Sequence, residues 1–430
     1  TSMVDQVMVG RLPGDLGVQG LSAVGLCMNP KFILMTALMA INTGTTAIVA
    51  RYRGMGDQKK ANQTFKQAML FNLILSAIMM TVGTVFAKPF ITFIAGQGIS
   101  EATIAYAVTY FRIQMAGFIP LMLTNTITST LRAIGDSRMP MIYNTIANVV
   151  NAVFNYLLIY GKFGFPYMTI AGASLATIIV QFVAIVIAIS LMLKKSRYVY
   201  LDLKEKFVFD KDIMSNVLTI GLPSMIEQLF MRIGIIIYTR MVTSLGDIAY
   251  ATHQVCMNIQ SLSFMSGMAF SNSATTLMGQ SLGKQRLDMA DNYTRMTRTL
   301  SFLLSCVIGG CFIFFGRGIV SIYNSTPEII ALGGQILIMI GFTQPLQSSQ
   351  FVTAGALRGA GDTKYTAMVI FVTTIIVRCS LGYLCIKVLD LGLMGAWYAL
   401  VGDQVIRTAM IFMRYRQGKW RFFRLRGQDQ

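Results

Sequence analysis

The sequence predicts an all-α polytopic membrane protein, with twelve transmembrane helices in two six-helix bundles related by pseudo-twofold symmetry as a parallel repeat. Three observations predict it. Hydrophobic residues make up 54% of the 430-residue chain and charged residues only 13%, about half the charged share of ordinary soluble domains. The apolar residues gather in windows near the roughly 20 residues that carry a helix across a bilayer with its backbone satisfied internally. Finally, the chain is one unit written twice. Leu131-Arg-Ala-Ile-Gly-Asp-Ser-Arg138 returns as Leu357-Arg-Gly-Ala-Gly-Asp-Thr-Lys364, and Cys27-Met28-Asn29 as Cys256-Met257-Asn258. Gly54 and Ala61 return as Gly283 and Ala290, and Gly172-Ala173, Ala176 and Gln181 as Gly395-Ala396, Ala399 and Gln404. The offset shrinks from 229 residues to 226 and then 223, as loop deletions would make it. An even number of spans per copy preserves orientation, so the symmetry axis is expected along the membrane normal, a construction typical of secondary transporters.

The first apolar span covers 1–14. It is short because Asp5 aligns with Gly234, leaving 213–230 without a counterpart; the first helix is therefore expected to be incomplete at its N-terminus. Asp5 lies about ten residues, or roughly 15 Å, from the loop at Pro13-Gly14, and a charge at that depth costs several kcal/mol. Spans 20–50, 64–87 and 104–129 follow, the last containing Pro120. The fifth, 141–160, carries Asn151 and Asn155 on one helix face, and the sixth, 170–193, carries Thr177. Counted from the loop at Gly161, these three reach a depth similar to that of Asp5. A carboxylate ringed by amide and hydroxyl oxygens suits a small cation, H+ or Na+. The competing reading is that Asp5 only hydrogen-bonds neighbouring helices together.

A basic connector, 194–212, leads into the second copy. Span seven, 213–242, contains Pro223, expected to loosen its helix and to leave Glu227 open to substrate, with Arg232 further along. Span eight, 249–280, carries His253, Gln254, Asn258 and Gln260; span nine is 299–316; span ten, 329–355, places Gln344, Pro345 and Gln347 in one bend. Lipid-facing surfaces do not suit such polarity, so Glu227, His253, Gln254, Gln344 and Gln347 are expected to line a substrate cavity. A hydrogen-bonded structural role stands beside this for His253. Spans eleven, 366–386, and twelve, 395–413, carry Arg378 and Asp403 at matching depths, with Arg407 one turn from Asp403. They are expected to form a structural ion pair joining two helices.

The formal charge of +18 is concentrated in alternate gaps: 51–66, Arg132 and Arg138, 194–211, 284–298, Arg358 and Lys364, and the tail 414–430. Excess Lys and Arg marks the cytoplasmic side. Both termini are thus expected in the cytoplasm of a multi-pass plasma-membrane protein, with the basic charge facing lipid headgroups and no nucleic acid as partner. In the doubled motif, Arg132, Asp136, Arg358 and Asp362 are expected at the cytoplasmic ends of helices four and ten, where they cap helix ends or latch the lobes. The domain plan is an N-lobe at 1–193, the connector, a C-lobe at 213–413 and the tail. All six cysteines fall within or at the ends of apolar spans without a CxxC pair, which reads as small buried hydrophobes. A phosphate loop of the form GxxxxGK[ST] is absent from the sequence, which argues against an ATP-driven engine in this chain. No cofactor, no enzymatic chemistry and no metal other than Na+ at Asp5 are expected.

These residues resemble the multidrug and toxic compound extrusion (MATE) transporters. Val4-Asp5-Gln-Val-Met-Val-Gly10 looks like that family's first helix. Gly54-Met-Gly56-Asp57 and Gly279-Gln280-Ser-Leu-Gly283 look like its paired loops after helices two and eight. The doubled Leu-Arg-x-x-Gly-Asp motif, Gly221-Leu222-Pro223 and Ala251-Thr-His253-Gln254 also fit, and the likeness covers essentially the whole chain. The resemblance implies two lobes facing a central cleft and export of organic, often cationic compounds in exchange for H+ or Na+, by a protein taken to be monomeric. It implies a coupling site at Asp5, Asn151 and Thr177. Many relatives carry a second carboxylate at the position of Asn155, so Asp5 is the only acid there. The alternative is a lipid or glycolipid flippase of the same wider superfamily; such proteins usually have extra helices and a strongly cationic cavity, unlike the twelve spans and few cavity cations here.

Overall fold

The computed structural model describes residues 8–9, 15–95, 100–161, 163–164, 166–194, 197–202, 208–323 and 326–423. These residues are helical almost throughout, and no strand occurs among them. The helices are α1 (Asp15–Met55), α2 (Gln58–Val85), α3 (Ala87–Ala95), α4 (Glu101–Ala116), α5 (Phe118–Ala133), α6 (Arg138–Tyr160) and α7 (Thr169–Met192). They continue as α8 (Lys211–Thr243), α9 (Asp247–Gly283), α10 (Leu287–Tyr323), α11 (Pro327–Ala360), α12 (Thr363–Val388) and α13 (Gly392–Arg416). Eight of them, α1, α2, α6, α7, α8, α10, α11 and α12, are long and apolar enough to cross a membrane. The fourth span is two 16-residue helices meeting at Gly117. A Cβ on Gly117 would lie 2.0 Å from Gln181 Oε1, so a larger residue at this junction would have to push the Gln181 side chain aside. The nine-residue α3 was not expected; with Ala87 and Ile91 buried and Phe93 exposed, it is far too short to span. Apart from Met8 and Val9, the first span lies outside the described residues.

The chain divides into two compact units, Thr1–Thr45 with Asp57–Ser215, and Thr46–Gly56 with Asn216–Gln430. In unit 1, Leu38, Ile91, Phe111, Met115 and Phe118 form a closed apolar core. Polar contacts join its helices, where Asn72 Nδ2 donates to Asn42 Oδ1 at 3.0 Å and to Thr126 Oγ1 at 2.7 Å, linking α2 to α1 and α5. In unit 2, Tyr238, Ile336, Leu337 and Trp397 form the corresponding centre. Outward faces are strongly apolar, with Phe314 82% and Ile322 81% exposed. Apolar surface outside and hydrogen-bonded polarity inside is the distribution a bilayer selects.

The doubled motif folds the same way twice. Asp136 N–H donates to Leu131 O and Gly135 N–H to Arg132 O, both at 2.9 Å; Asp362 N–H donates to Leu357 O at 2.9 Å and Gly361 N–H to Arg358 O at 3.0 Å. Gly135 and Gly361 have φ of 93° and 100°. This is a Schellman helix stop, which requires the left-handed residue that glycine supplies. The aspartates then take different partners. Asp136 accepts from Arg197 at 2.9 Å and from the Met139 N–H at 3.2 Å, whereas Asp362 accepts from Arg414 Nε at 2.6 Å. Burial at this end is uneven, since Asp362 is buried and Asp136 is not.

Repeat counterparts also meet one another. Within unit 2, the end of α1 crosses the end of α9: a Cβ on Gly54 would lie 2.1 Å from Gln280 O, and a Cβ on Gly283 would lie 2.1 Å from Arg51 O. Gly54 and Gly283 are counterparts at the offset of 229, and so are Arg51 and Gln280. The crossing is therefore self-complementary, residue i against j′ and j against i′.

Candidate functional site

In unit 1, α6 and α7 are held at backbone contact by Gly172, where a Cβ would come within 2.6 Å of Leu158 O. Polar residues of both helices are buried beside this contact. Asn151 and Asn155 are completely buried, and Asn155 Nδ2 donates to Asn151 Oδ1 at 3.3 Å. Asn151 Nδ2 has no hydrogen-bond acceptor among the described residues. Leaving such a donor unmade costs about 1–3 kcal/mol. Thr177, also buried, donates its hydroxyl back to Ala173 O at 3.1 Å. Asp5 lies outside the described residues.

In unit 2, α12 and α13 bring Arg378, Asp403 and Arg407 together. Arg378 Nε donates to Asp403 Oδ2 at 2.8 Å, and Arg407 Nη2 to Asp403 Oδ1 at 2.7 Å. All three are buried. Two guanidiniums around one carboxylate leave a net charge of +1, and hydroxyls help to disperse it: Arg407 also donates to Thr373 Oγ1 at 3.0 Å and Thr374 Oγ1 at 2.7 Å. Both threonines sit in a π-helical turn, Phe371–Val377, and a second π turn follows at Leu384–Val388. Such i→i+5 turns are rare and concentrate at functional positions.

The five residues expected to line a cavity occupy different environments. Glu227, expected to be open to substrate, is 2% exposed; Arg358 Nη2 donates to it at 3.2 Å and Thr366 Oγ1 at 3.0 Å. Burial beside a cation, rather than exposure at a loosened helix, is how this carboxylate is accommodated. His253 is buried between rings, with centroids 5.7 Å from Tyr238 and 5.3 Å from Trp397, and its Nδ1 has no hydrogen-bond partner among the described residues. Gln254, about 100° further round α9, is exposed. Gln344 is buried and accepts from the Ser263 hydroxyl, and Gln347 is buried beside it on α11. Sequence reasoning missed Thr366, Thr373 and Thr374 as charge partners, because threonine is ordinary in membrane helices. It also assigned Arg358 only to a helix-end motif.

A family model, MatE, matches residues 1–157 and 223–384. The chain is similar to the probable multidrug resistance protein NorM of Thermotoga maritima, at 28% identity over 95% of this chain and 87% of that protein. It is 25% identical to the uncharacterized transporter YisQ of Bacillus subtilis, over 93% of this chain and 87% of the relative. Among solved structures, a crystal structure of MATE in the bent conformation superposes with a TM-score of 0.88 at 20% identity, covering 97% of this chain and 90% of that one. A MOP superfamily transporter from Pyrococcus furiosus, described as having a binding pocket of reverse polarity, gives the same TM-score and identity over 98% and 92%.

Proposed function

Because this chain belongs to the MatE family, we propose that it is a secondary active multidrug exporter that exchanges organic, often cationic compounds for H+ or Na+ by alternating access. In this reading the driving cation binds Asp5, supported by Asn151, Asn155 and Thr177. The protein works as a monomer in the plasma membrane, with both termini in the cytoplasm. The observation that carries the coupling site is the fully buried amide pair of α6, whose Asn151 Nδ2 lacks an acceptor among the described residues. An orphaned amide donor beside amide and hydroxyl oxygens complements a carboxylate and its cation. Coupling also requires that ion and drug favour different conformations, since equal affinity for both shifts nothing.

The second copy supports an asymmetric device. The counterpart of Asp5 is Gly234, which cannot titrate and where a Cβ would lie 2.4 Å from Thr374 Cγ2. The buried carboxylates Glu227 and Asp403 already have arginine partners. Substrate contacts are assigned to Glu227 and the polar residues of α9 and α11, His253, Gln254, Gln344 and Gln347, with Glu227 also a secondary candidate for ion coupling.

Purified protein in liposomes, given first a proton and then a sodium gradient, should accumulate a fluorescent organic cation. Asp5→Asn should reduce that uptake to the level of empty liposomes while leaving helix content and thermal stability unchanged. Near-normal uptake by this variant would move the coupling acid to Glu227 or Asp403.

A further inference from the structure

At the cation-rich end of unit 2, where α10 begins and α13 finishes, a pocket of about 330 Å³ is lined by Arg295, Arg298, Arg416 and Arg421. One carboxylate, Asp291, shares it, so the lining carries a net charge of +3. Asp291 is already engaged, accepting from the Tyr415 hydroxyl at 2.9 Å and more loosely from Arg295 at 3.4 Å. Basic residues at a membrane surface are common. A concave wall that gathers four of them is a different matter.

The chain builds that wall by turning back after α13. Gly418, with φ of 67°, allows the reversal, and the short 3₁₀ helix Lys419–Phe422 then tucks Trp420 under Tyr415. Those rings stack at 5.4 Å and 17°, Trp420 Nε1 donates to Tyr415 O at 3.0 Å, and Trp420 is 1% exposed. Arg51 Nη2 fastens the returning chain at Phe423 O, at 2.6 Å. Two of the cations are then seated on aromatic faces, Arg298 over Phe412 at 5.0 Å and Arg421 over Trp420 at 5.3 Å. A guanidinium lying on a ring keeps its N–H edges free, the arrangement that grips a phosphate bidentately.

The pocket opens directly onto the apolar outer face of α10. Met296, Leu300, Leu303 and Val307 follow one another along α10 at helical spacing, and all are exposed. This stripe begins at the rim, between Arg295 and Arg298, and runs into the membrane-spanning part of the helix. Neither a soluble peptide nor a nucleic acid needs such a track. An acyl chain does.

We propose that this pocket binds the phosphate of an anionic membrane lipid, with the headgroup among the arginines and an acyl chain along α10. The assignment does not depend on the export reading, and its readout is binding rather than transport. The full chain in detergent would be titrated with short-chain phosphatidylglycerol, phosphatidylcholine and glycerol 3-phosphate, and bound ligand read by native mass spectrometry. Phosphatidylglycerol should bind more tightly than phosphatidylcholine. Each neutralised cation should weaken it about fivefold, and Arg298→Gln/Arg416→Gln/Arg421→Gln together roughly a hundredfold. The charge-matched control Lys59→Gln/Lys211→Gln/Lys284→Gln, on exposed residues outside the pocket, should bind as the parent does. Asp291→Asn removes the one negative charge and should tighten binding about fivefold, which keeps the test decisive should the triple variant fold poorly. Equal losses in control and pocket variants, or equal binding of the two lipids, would overturn the site. Glycerol 3-phosphate matching phosphatidylglycerol in affinity would overturn the lipid assignment and leave a soluble phosphate ester as the ligand.

Discussion

Asp403→Ala should destabilise the protein by about 3–5 kcal/mol, the cost of stranding buried charge by removing one partner. The substitution leaves Arg378 and Arg407 facing each other with no carboxylate between them, and the cluster moves from one uncompensated positive charge to two. Thr373 and Thr374 can still accept from Arg407, but hydroxyls carry no countercharge. A large fall in the midpoint of heat-induced unfolding in detergent would register the loss. The triple variant Arg378→Met/Asp403→Leu/Arg407→Met should be more stable than the single one, because apolar residues of similar volume have no charge to desolvate. Parental stability in Asp403→Ala would show that water or lipid already reaches the cluster and screens it.

Gly283→Ala should be the other severe change, costing about 3 kcal/mol, the upper end of overpacking penalties. The obstacle is backbone: the new Cβ would meet Arg51 O at 2.1 Å and Gly54 Cα at 2.9 Å, and neither can rotate away as a side chain would. Gly54→Ala should cost a similar amount, since its Cβ would meet Gln280 O at 2.1 Å. Both substitutions part the same two helices, so their effects should not add. Gly54→Ala/Gly283→Ala should cost clearly less than the two singles together. Full additivity in the same unfolding assay would mean that the crossing does not move as one contact.

Much of this is legible in the sequence. The internal repeat and the apolar windows dictate an all-helical membrane fold, because a bilayer leaves so few alternatives. Counting residues from helix ends set Arg378 opposite Asp403, since rise per residue is nearly constant along a helix. What escaped the count was pairing between distant segments. Nothing local marks Arg358 as the partner of Glu227, 131 residues away, because the arginine also belongs to a helix-stop motif with its own logic. The basic tail was read only as charge facing lipid headgroups, yet Trp420 folds it into a wall; a tryptophan amid arginines was the available signal. The break at Gly117 was illegible because hydrophobicity continues across it, and α3 because Lys88-Pro89 and its nine residues read as a loop.

The π turn at Phe371–Val377 changes which residues of the two copies correspond. A residue inserted into an α-helix ordinarily rotates everything beyond it by about 100°; a π turn absorbs the extra residue locally and leaves the remaining turns in their old orientation. Where one copy holds such an extra residue and the other does not, a gapless alignment of the two shifts every residue past it by one. At the offset of 226 set by the doubled motif, Arg378 falls opposite Ala152. With one residue absorbed, it falls opposite Asn151. The buried amide of one copy and the buried cation of the other then occupy corresponding positions of the two repeats.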